Sequence, residues 1–453
     1  MTPLEMRASL GLAGIFGLRM LGMFLILPVF AIYAHTLPGG DRPMLIGLAL
    51  GMYGLTQAVL QLPFGMASDR FGRKPVIYFG LVLFALGSFV AYFAHDIYWI
   101  IIGRSIQGAG AISAAITALL ADLTREEHRT KAMAMIGTTI GMTFAISMAV
   151  SPLIYQAIGV PGMFALTGVL SIAAVFVVAK LIPDPKTHLF HSDAEVSTSR
   201  LSDVLKNPQL LRLNFGIFSL HAAQMSMFVI IPAALVASGN MPEQEHWKIY
   251  LPVMVIAFVL MVPLIIYGEK KGKLKNVFVF AIALLLASQL LFSVLIDSFR
   301  GVAATLLLFF TAFNILEASL PSLVSKIAPV SAKGTAMGVY NTSQSLGLFA
   351  GGAAGGMFAA YGGNSSVFIF GAAMSAIWLM LAFTMKAPPA VRTKMYPVGQ
   401  LDEVSAKLLS QQLSGLHGVF EAVVIGDEGV AYLKTSMSGF DEKSVLNLVE
   451  VRA

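Results

Sequence analysis

Four ionisable residues fall inside long apolar runs of this chain: Arg19, Arg104, His221 and Glu317. A charge in hydrocarbon is costly, so such groups usually face a cavity or a partner. Arg19 lies about 15 Å into its apolar run if that run is helical, too deep for easy escape to either interface. Glu317 is the sole acid of the four. With His221 it can change protonation near neutral pH after modest perturbation, whereas Arg19 and Arg104 keep their charge. Desolvation would favour a proton on Glu317 and a nearby cation would release it. The chemistry on offer is proton exchange in an apolar interior. Packing roles stand beside it: Arg19 bonding helix carbonyls, His221 neutral and satisfied, Arg104 bracing neighbouring helices, and Glu317 structural.

Other polar side chains could complete a cavity. Tyr53, Gln57 and Gln61 recur at i, i+4 and i+8, one face of a helix, and Asn314, Asn341 and Gln344 add amides further along. With Arg19 they form a candidate substrate cavity, flanked by the adaptable Met20, Met23, Met225 and Met227. The mixture suits an amphipathic organic solute, and ordinary helix packing uses the same residues. No acid cluster suits a hard cation, no Gly-rich phosphate loop suits ATP, and no nucleophile and base share a motif. The absence of cysteine removes disulfides and thiolate metal sites. The expectation is no enzyme, no cofactor and no metal, with energy drawn from an ion gradient or the solute's own.

The elements that carry these residues are membrane helices. Mean hydropathy is +0.79 and only 12% of residues are charged, values a water-exposed globule of 453 residues could hardly tolerate. Windows of about 20 apolar residues, enough for a core of roughly 30 Å, occur twelve times. They lie near 9–34, 44–67, 75–94, 98–121, 132–156, 162–182, 210–238, 247–268, 276–296, 301–325, 334–360 and 365–386. Six precede the polar segment 183–208 and six follow it.

The two sets are repeats. Leu62 to Lys74 and Val262 to Leu274 share Pro, acid, base, Gly and base in order: Pro63 with Pro263, Asp69 with Glu269, Arg70 with Lys270, Gly72 with Gly272, Arg73 with Lys273. Ile15 to Arg19 likewise matches Ile217 to His221, which puts Arg19 and His221 in corresponding positions. A duplication this apolar indicates a transporter of two like halves.

Lys and Arg collect in alternate loops and at both chain ends, so both termini are expected in the cytoplasm. The net charge of +6 is then a topology signal that needs no nucleic acid to explain it. In the loop after the second span, Gly65 would let a helix approach and Gly72 would permit a tight turn. Asp69, Arg70 and Arg73 sit at the membrane boundary. Asp122 ends the fourth span beside a negative helix dipole, which a cation such as Arg73 would relieve.

Gly65-Met-Ala-Ser-Asp69-Arg70-Phe-Gly72-Arg73-Lys74 resembles the signature loop of the major facilitator superfamily. Arg104-Ser-Ile-Gln107-Gly108-Ala-Gly110 resembles a further signature of its drug/proton antiporter branch. The fifth span carries Ser151-Pro152 and Tyr155-Gln156 where a third signature would place Gly-Pro and a Gly pair. The resemblance covers about residues 1–386. It implies that Gly65, Asp69, Arg70, Gly72, Arg73 and Asp122 form a conformational gate, a latch on the outward-open state with Asp69 facing the start of the eleventh helix. It also implies that Arg104 tunes the proton affinity of a nearby acid, completing a coupling set with Glu317 and His221.

Residues 387–394 read as a short basic linker. Beyond it, 395–453 read as strand, helix, hairpin and helix, most of a split β-α-β pattern. This resembles small ferredoxin-like domains of the heavy-metal-associated type, without their Cys-x-x-Cys. Its acids Asp402, Glu403, Asp427, Glu428, Asp441 and Glu442 are placed to meet the basic loops of the membrane region.

The expected fold is an all-α polytopic membrane protein with twelve transmembrane helices in two six-helix pseudo-repeats, plus a small α+β ferredoxin-like cytoplasmic domain. Its parts are 1–182, the linker 183–208, 209–386, the linker 387–394, and 395–453. The expected activity is proton-coupled export of a small organic or drug-like solute across a bacterial-type inner membrane by alternating access. The expected partners are that solute, protons, the lipid bilayer and, for the C-terminal domain, the chain's own cytoplasmic loops. A metabolite symporter or uniporter is a second reading, and a transporter-like membrane sensor a third.

Overall fold

The computed structural model describes residues 1–184, 198–329, 332–387, 391–427, 429–436 and 439–450. Helices dominate. The first half holds α1 (Pro3–Phe24), α2 (Leu27–Ala34), α3 (Pro43–Phe71), α4 (Arg73–Tyr92), α5 (Ile97–Ala109), α6 (Ser113–Asp122) and α7 (Glu126–Leu181). A short helix, α8 (Thr198–Leu205), lies within the expected linker. The second half holds α9 (Pro208–Gly239), α10 (Trp247–Lys270), α11 (Leu274–Leu295), α12 (Phe299–Ile327) and α13 (Lys333–Phe383).

Among the described residues, ten helical segments are long and apolar enough to cross a membrane. Two of them, Lys131–Leu181 and Lys333–Phe383, run 51 residues each, more than twice what a core of roughly 30 Å requires. Each is interrupted once, at Gly159 (φ 65°, ψ 176°) and at Gly363 (φ 75°, ψ 177°). These are conformations that only glycine adopts without strain. The breaks fall where the sequence reading separates its fifth from its sixth span and its eleventh from its twelfth.

The duplication reappears in the backbone. Gly72 and Gly272, matched in the repeat, both take positive φ, 94° and 63°, at the turn into the next helix. The halves differ at their first helix: α1 and α2 are separated at Leu25 and Ile26, whereas α9 passes through Pro232 without a break. Pro28 near the start of α2 and Pro232 within α9 both lack the N–H that would bond back, so the missing donor permits an interruption without requiring one.

The segments bearing Arg19 and His221 are the most enclosed of the ten, and α10 is among the least, consistent with α1 and α9 at the centre of the bundle and α10 at its rim. The halves meet chiefly where α3 packs on α13, with α10 on α7 and α2 on α9 beside it. An added Cβ at Gly47 would overlap the Gly352 carbonyl oxygen, and one at Gly352 would overlap that of Gly47. Gly356 abuts Pro43 in the same way. This seam lies at the end of the bundle away from the chain termini. Tyr155 of α7 reaches Glu243 of the other half there, at 3.3 Å.

The C-terminal region folds as β1 (Val391–Pro397), α14 (Glu403–Ser414), β2 (Val419–Ile425), β3 (Val430–Ser436) and α15 (Glu442–Glu450). Its antiparallel sheet has the order β1-β3-β2. β1 begins at Val391, inside the expected linker, because Val391 to Lys394 pair with Ser436 to Leu433. One sheet face packs on α14 and α15 through Leu409, Leu413, Ala422, Leu433, Val445 and Val449. Val430 and Tyr432 are buried on the opposite side, and Lys434 Nζ donates to the Ala328 carbonyl just past α12 at 2.6 Å.

Four of the six acids expected to meet the basic loops have partners within the domain. Asp402 caps α14 by accepting from the Ser405 amide, Glu403 pairs with Lys407, Asp441 accepts from Ser444, and Glu442 accepts from Lys394 and Tyr396. Helix starts leave amides unsatisfied, and short acids nearby serve them first. Contact with the bundle includes Lys434 on β3 and the packing of β1 against α7 and α12. Glu428 lies outside the described residues.

Candidate functional site

Two polar clusters occupy the interior, one in each half. In the first, α1, α3 and α5 bring Arg19, Tyr53 and Arg104 together. The Arg19 guanidinium carbon lies 5.8 Å from the centre of the Tyr53 ring and that of Arg104 lies 4.9 Å from it, both within cation–π range. Gly108 makes this approach possible, since a Cβ there would overlap the Tyr53 carbonyl. Arg19 Nη1 donates to Ser113 Oγ on α6 at 2.7 Å. Arg104 Nη1 donates to Gln107 Oε1 at 2.9 Å, and Gln107 Nε2 donates to Ser88 Oγ on α4 at 2.7 Å. The expected RxxQG pattern thus works as a local brace: Gln107 holds Arg104 and is itself held by a neighbouring helix.

The second cluster joins α9, α12 and α13. Gln344 Nε2 lies 2.8 Å from His221 Nε2 and 3.4 Å from Glu317 Oε1, bridging the two groups. His221 Nδ1 faces the Ile217 carbonyl at 3.2 Å, which fits a neutral ring that donates from Nδ1 and accepts at Nε2. His221 Nε2 and Glu317 Oε2 stand 3.9 Å apart. His221 is buried, whereas the Glu317 side chain keeps 28% exposure. Asn314 precedes Glu317 by one helical turn and is buried, its Nδ2 unpartnered among the described residues; Asn341, one turn before Gln344, is half-buried.

An aromatic layer links the halves beside these clusters. Phe24 of α1 meets Phe144 of α7 at 5.0 Å, Phe144 meets Phe313 of α12 at 5.4 Å, and Phe313 meets His221 at 5.7 Å. Of the expected coupling set, then, His221 and Glu317 are adjacent. Arg104 belongs to the other cluster, with Gln107 and Tyr53 as its neighbours. Tyr53, Gln57 and Gln61 share a buried face of α3 as their spacing requires, with the Tyr53 hydroxyl and both Gln Oε1 atoms unpartnered among the described residues.

The gate residues assemble at the terminus-bearing end. Arg73 bonds Asp69 through Nη1, donates from the same nitrogen to Ser68 Oγ at 3.0 Å, and donates from Nε to Asp122 Oδ2 at 3.2 Å. The Asp122 side chain is fully buried and that of Asp69 is 45% exposed. Arg70 lies over the Phe71 ring, 5.4 Å from its centre. Gly65 faces Ala114 of α6, and a Cβ there would come to 3.4 Å, a tight contact that falls short of overlap. The repeat reverses the pairing. Glu269, the counterpart of Asp69, receives Lys326 of α12 at 2.8 Å, while Lys273 bonds the Tyr267 hydroxyl at 3.2 Å.

Ser113, Ser88 and Lys326 were not singled out from sequence. Lys326 carried a usable signal, being a cation in the last turn of the helix whose first-half counterpart ends in Asp122. Glu5 was also missed. It forms a capping box with Thr2 and accepts from Arg125 Nε at 3.0 Å, tying the start of α1 to the loop after α6.

The family model for the Major Facilitator Superfamily matches residues 12–352 and 253–420. The inner membrane transport protein YajR of Escherichia coli strain K12 is 45% identical over 434 residues, 96% of this chain and 95% of that protein. An uncharacterized transporter of Buchnera aphidicola from Acyrthosiphon pisum is 36% identical over 78% of this chain and 90% of its own. Among solved structures, a bacterial homologue of the human lysosomal transporter Spinster, inward-facing and occupied, superposes with a TM-score of 0.66 at 12% identity. It covers 84% of this chain and 97% of that one.

Proposed function

The chain belongs to the Major Facilitator Superfamily, and from that premise we propose that it is a proton-coupled exporter of a small organic solute, working by alternating access in a bacterial inner membrane. The observation that carries the coupling is the contact of His221, Gln344 and Glu317, two proton acceptors bridged by an amide that can donate or accept. Gain of a proton at His221 Nε2 would turn Gln344 to present its oxygen. That turn gives up the amide's bond to Glu317, so protonation at one group is felt at the other and at the packing of α9, α12 and α13.

Counting Gly159 and Gly363 as turns gives twelve crossings, with both termini in the cytoplasm as the basic loops favour. The glycine seam and the aromatic layer then close the periplasmic side, and the partial exposure of Glu317 fits a cavity reached from the cytoplasm. The conformation read this way is inward-facing. The network of Asp69, Arg73 and Asp122 is a latch whose partner across the halves is engaged only when the cytoplasmic side closes. The C-terminal region, read as a ferredoxin-like domain with three strands among the described residues, is held to the bundle by Lys434 and sits where it can bias that closure.

Solute flux into proteoliposomes, with and without a pH gradient, tests the proposal. Accumulation that follows the proton gradient supports it. Tight solute binding with no flux would favour a membrane sensor.

A further inference from the structure

Arg19 and Arg104 are each bonded through one nitrogen only among the described residues. In each, Nη1 is anchored, to Ser113 and to Gln107 respectively, while Nε and Nη2 have no hydrogen-bond partner among the described residues. Those two nitrogens form the side-on edge of a guanidinium, the fork that grips a carboxylate or phosphate with two parallel bonds. Both side chains are closed off, at 3% and 0% exposure, and neither forms an ion pair with an acid among the described residues. Buried donors left open are rare in folded proteins, and buried cations without counter-charge rarer still.

The fixed anchors decide the geometry. Ser113 and Gln107 occupy the far nitrogens and Tyr53 lies within cation–π reach of both guanidiniums, so rotation that would satisfy the open edges elsewhere is opposed. The Tyr53 hydroxyl is itself buried and unpartnered, a third donor in the same place. Gln57 and Gln61, one and two turns on, supply further polar edges, and Met20 and Met23 supply buried apolar surface on α1.

Resting on the reading of the chain as a transporter, we propose that Arg19, Arg104 and Tyr53 form the binding site for the anionic group of the solute, a carboxylate or similar oxyanion on an apolar organic body. The site lies in the first half, opposite the proton-exchanging cluster of the second. Negative charge is therefore held in one half while the proton is handled in the other. An anion leaving with the export stroke and a proton entering on the return need not compete for the same residue, in contrast with a cationic solute that would compete with the proton for Glu317.

The test uses three probes of one skeleton that differ in charge: 2-naphthoate, 2-naphthylmethylammonium and 2-naphthylmethanol, with inorganic phosphate as a fourth. Thermal stability of the full-length protein in detergent, in chloride-free buffer, is followed against each at millimolar concentration. The expected result is a rise in melting temperature with naphthoate alone. Arg19→Lys and Arg104→Lys keep the charge and lose the fork, and each is expected to weaken the naphthoate effect by about tenfold or more. Should either variant fail to fold, the charge series on the unaltered protein still decides. Equal or larger shifts with the ammonium or the alcohol, or no shift with naphthoate, overturn the proposal. A phosphate shift matching that of naphthoate reduces the site to inorganic anion binding and overturns the organic-solute assignment. Naphthoate binding without naphthoate flux in proteoliposomes leaves the anion site standing and removes the transporter reading instead.

Discussion

His221 of α9 and Glu317 of α12 face each other with 3.9 Å between Nε2 and Oε2, and Gln344 of α13 serves both from a single amide nitrogen. Removing that shared amide isolates the pair. Gln344→Leu is expected to slow transport by about five- to tenfold, the effect of one hydrogen bond near 1 kcal/mol, while substrate binding is retained. Initial rates in proteoliposomes check this, and an unchanged turnover would remove Gln344 from the coupling path.

The latch prediction concerns Arg73. Its Nε and Nη1 hold Asp122 and Asp69 at the terminus-bearing end of α3, α4 and α6. Asp69→Asn and Asp122→Asn should both deplete the state in which the opposite end opens. The chain has no cysteine, so Ala31→Cys, buried at that opposite end, gives a single reporter thiol. Slower alkylation in both gate variants is expected; equal labelling in all three backgrounds contradicts the latch.

The glycine seam makes an opposite prediction. A methyl group at Gly47 meets the Gly352 carbonyl and the Gly356 backbone, neither of which can turn aside as a side chain would. Overpacking of this kind costs about 1–3 kcal/mol, so Gly47→Ala should shift the balance away from the closed seam by about tenfold or more. Faster alkylation of the same reporter is the expected readout, and unaltered labelling would mean that the seam does not control opening.

In the C-terminal region, Glu442 accepts from Lys394 at 2.5 Å and from the Tyr396 hydroxyl at 2.9 Å. The Lys394 ammonium and the Tyr396 hydroxyl hold its carboxyl below the usual carboxylate range. A depressed folded-state pKa adds stability above the unfolded value, near 4.3, and that stability is lost as pH falls through the folded value. Protection of β3 amides from hydrogen exchange in the full-length protein, taken relative to the intrinsic rate, should fall below about pH 4 and be level above about pH 5, with Glu442→Gln flattening the difference. Exchange that quickens toward alkaline pH beyond the intrinsic rate would contradict the sign.

Much of the fold was legible because bilayer physics leaves few options for apolar runs of this length. The repeat and the turns at Gly72 and Gly272 followed from local order of residues, and the Arg73 to Asp122 pairing from an acid placed at the negative end of a helix dipole. Rotation of helices about their own axes did not. Arg104 and Glu317 both sit in apolar sequence, yet only the packing at Gly108 decides that Arg104 faces Tyr53. The pairing of His221 with Glu317 joins helices distant in sequence, with Gln344 lying 123 residues from His221 and 27 from Glu317, and no periodicity reports it. The early start of β1 and the inward use of the domain's acids have the same origin. Strand register is fixed by a distant partner, and N-terminal amides compete for nearby acids before any loop can.

Proton movement during transport tests the central claim most directly. Purified protein is reconstituted with a trapped pH-sensitive dye, and proton and solute fluxes are recorded together for the unaltered chain and for the His221→Gln, Glu317→Gln double variant. The account predicts solute-dependent proton flux in the unaltered protein. In the double variant it predicts exchange down the solute gradient without proton movement. Uphill solute transport with unchanged proton stoichiometry in that variant would contradict it.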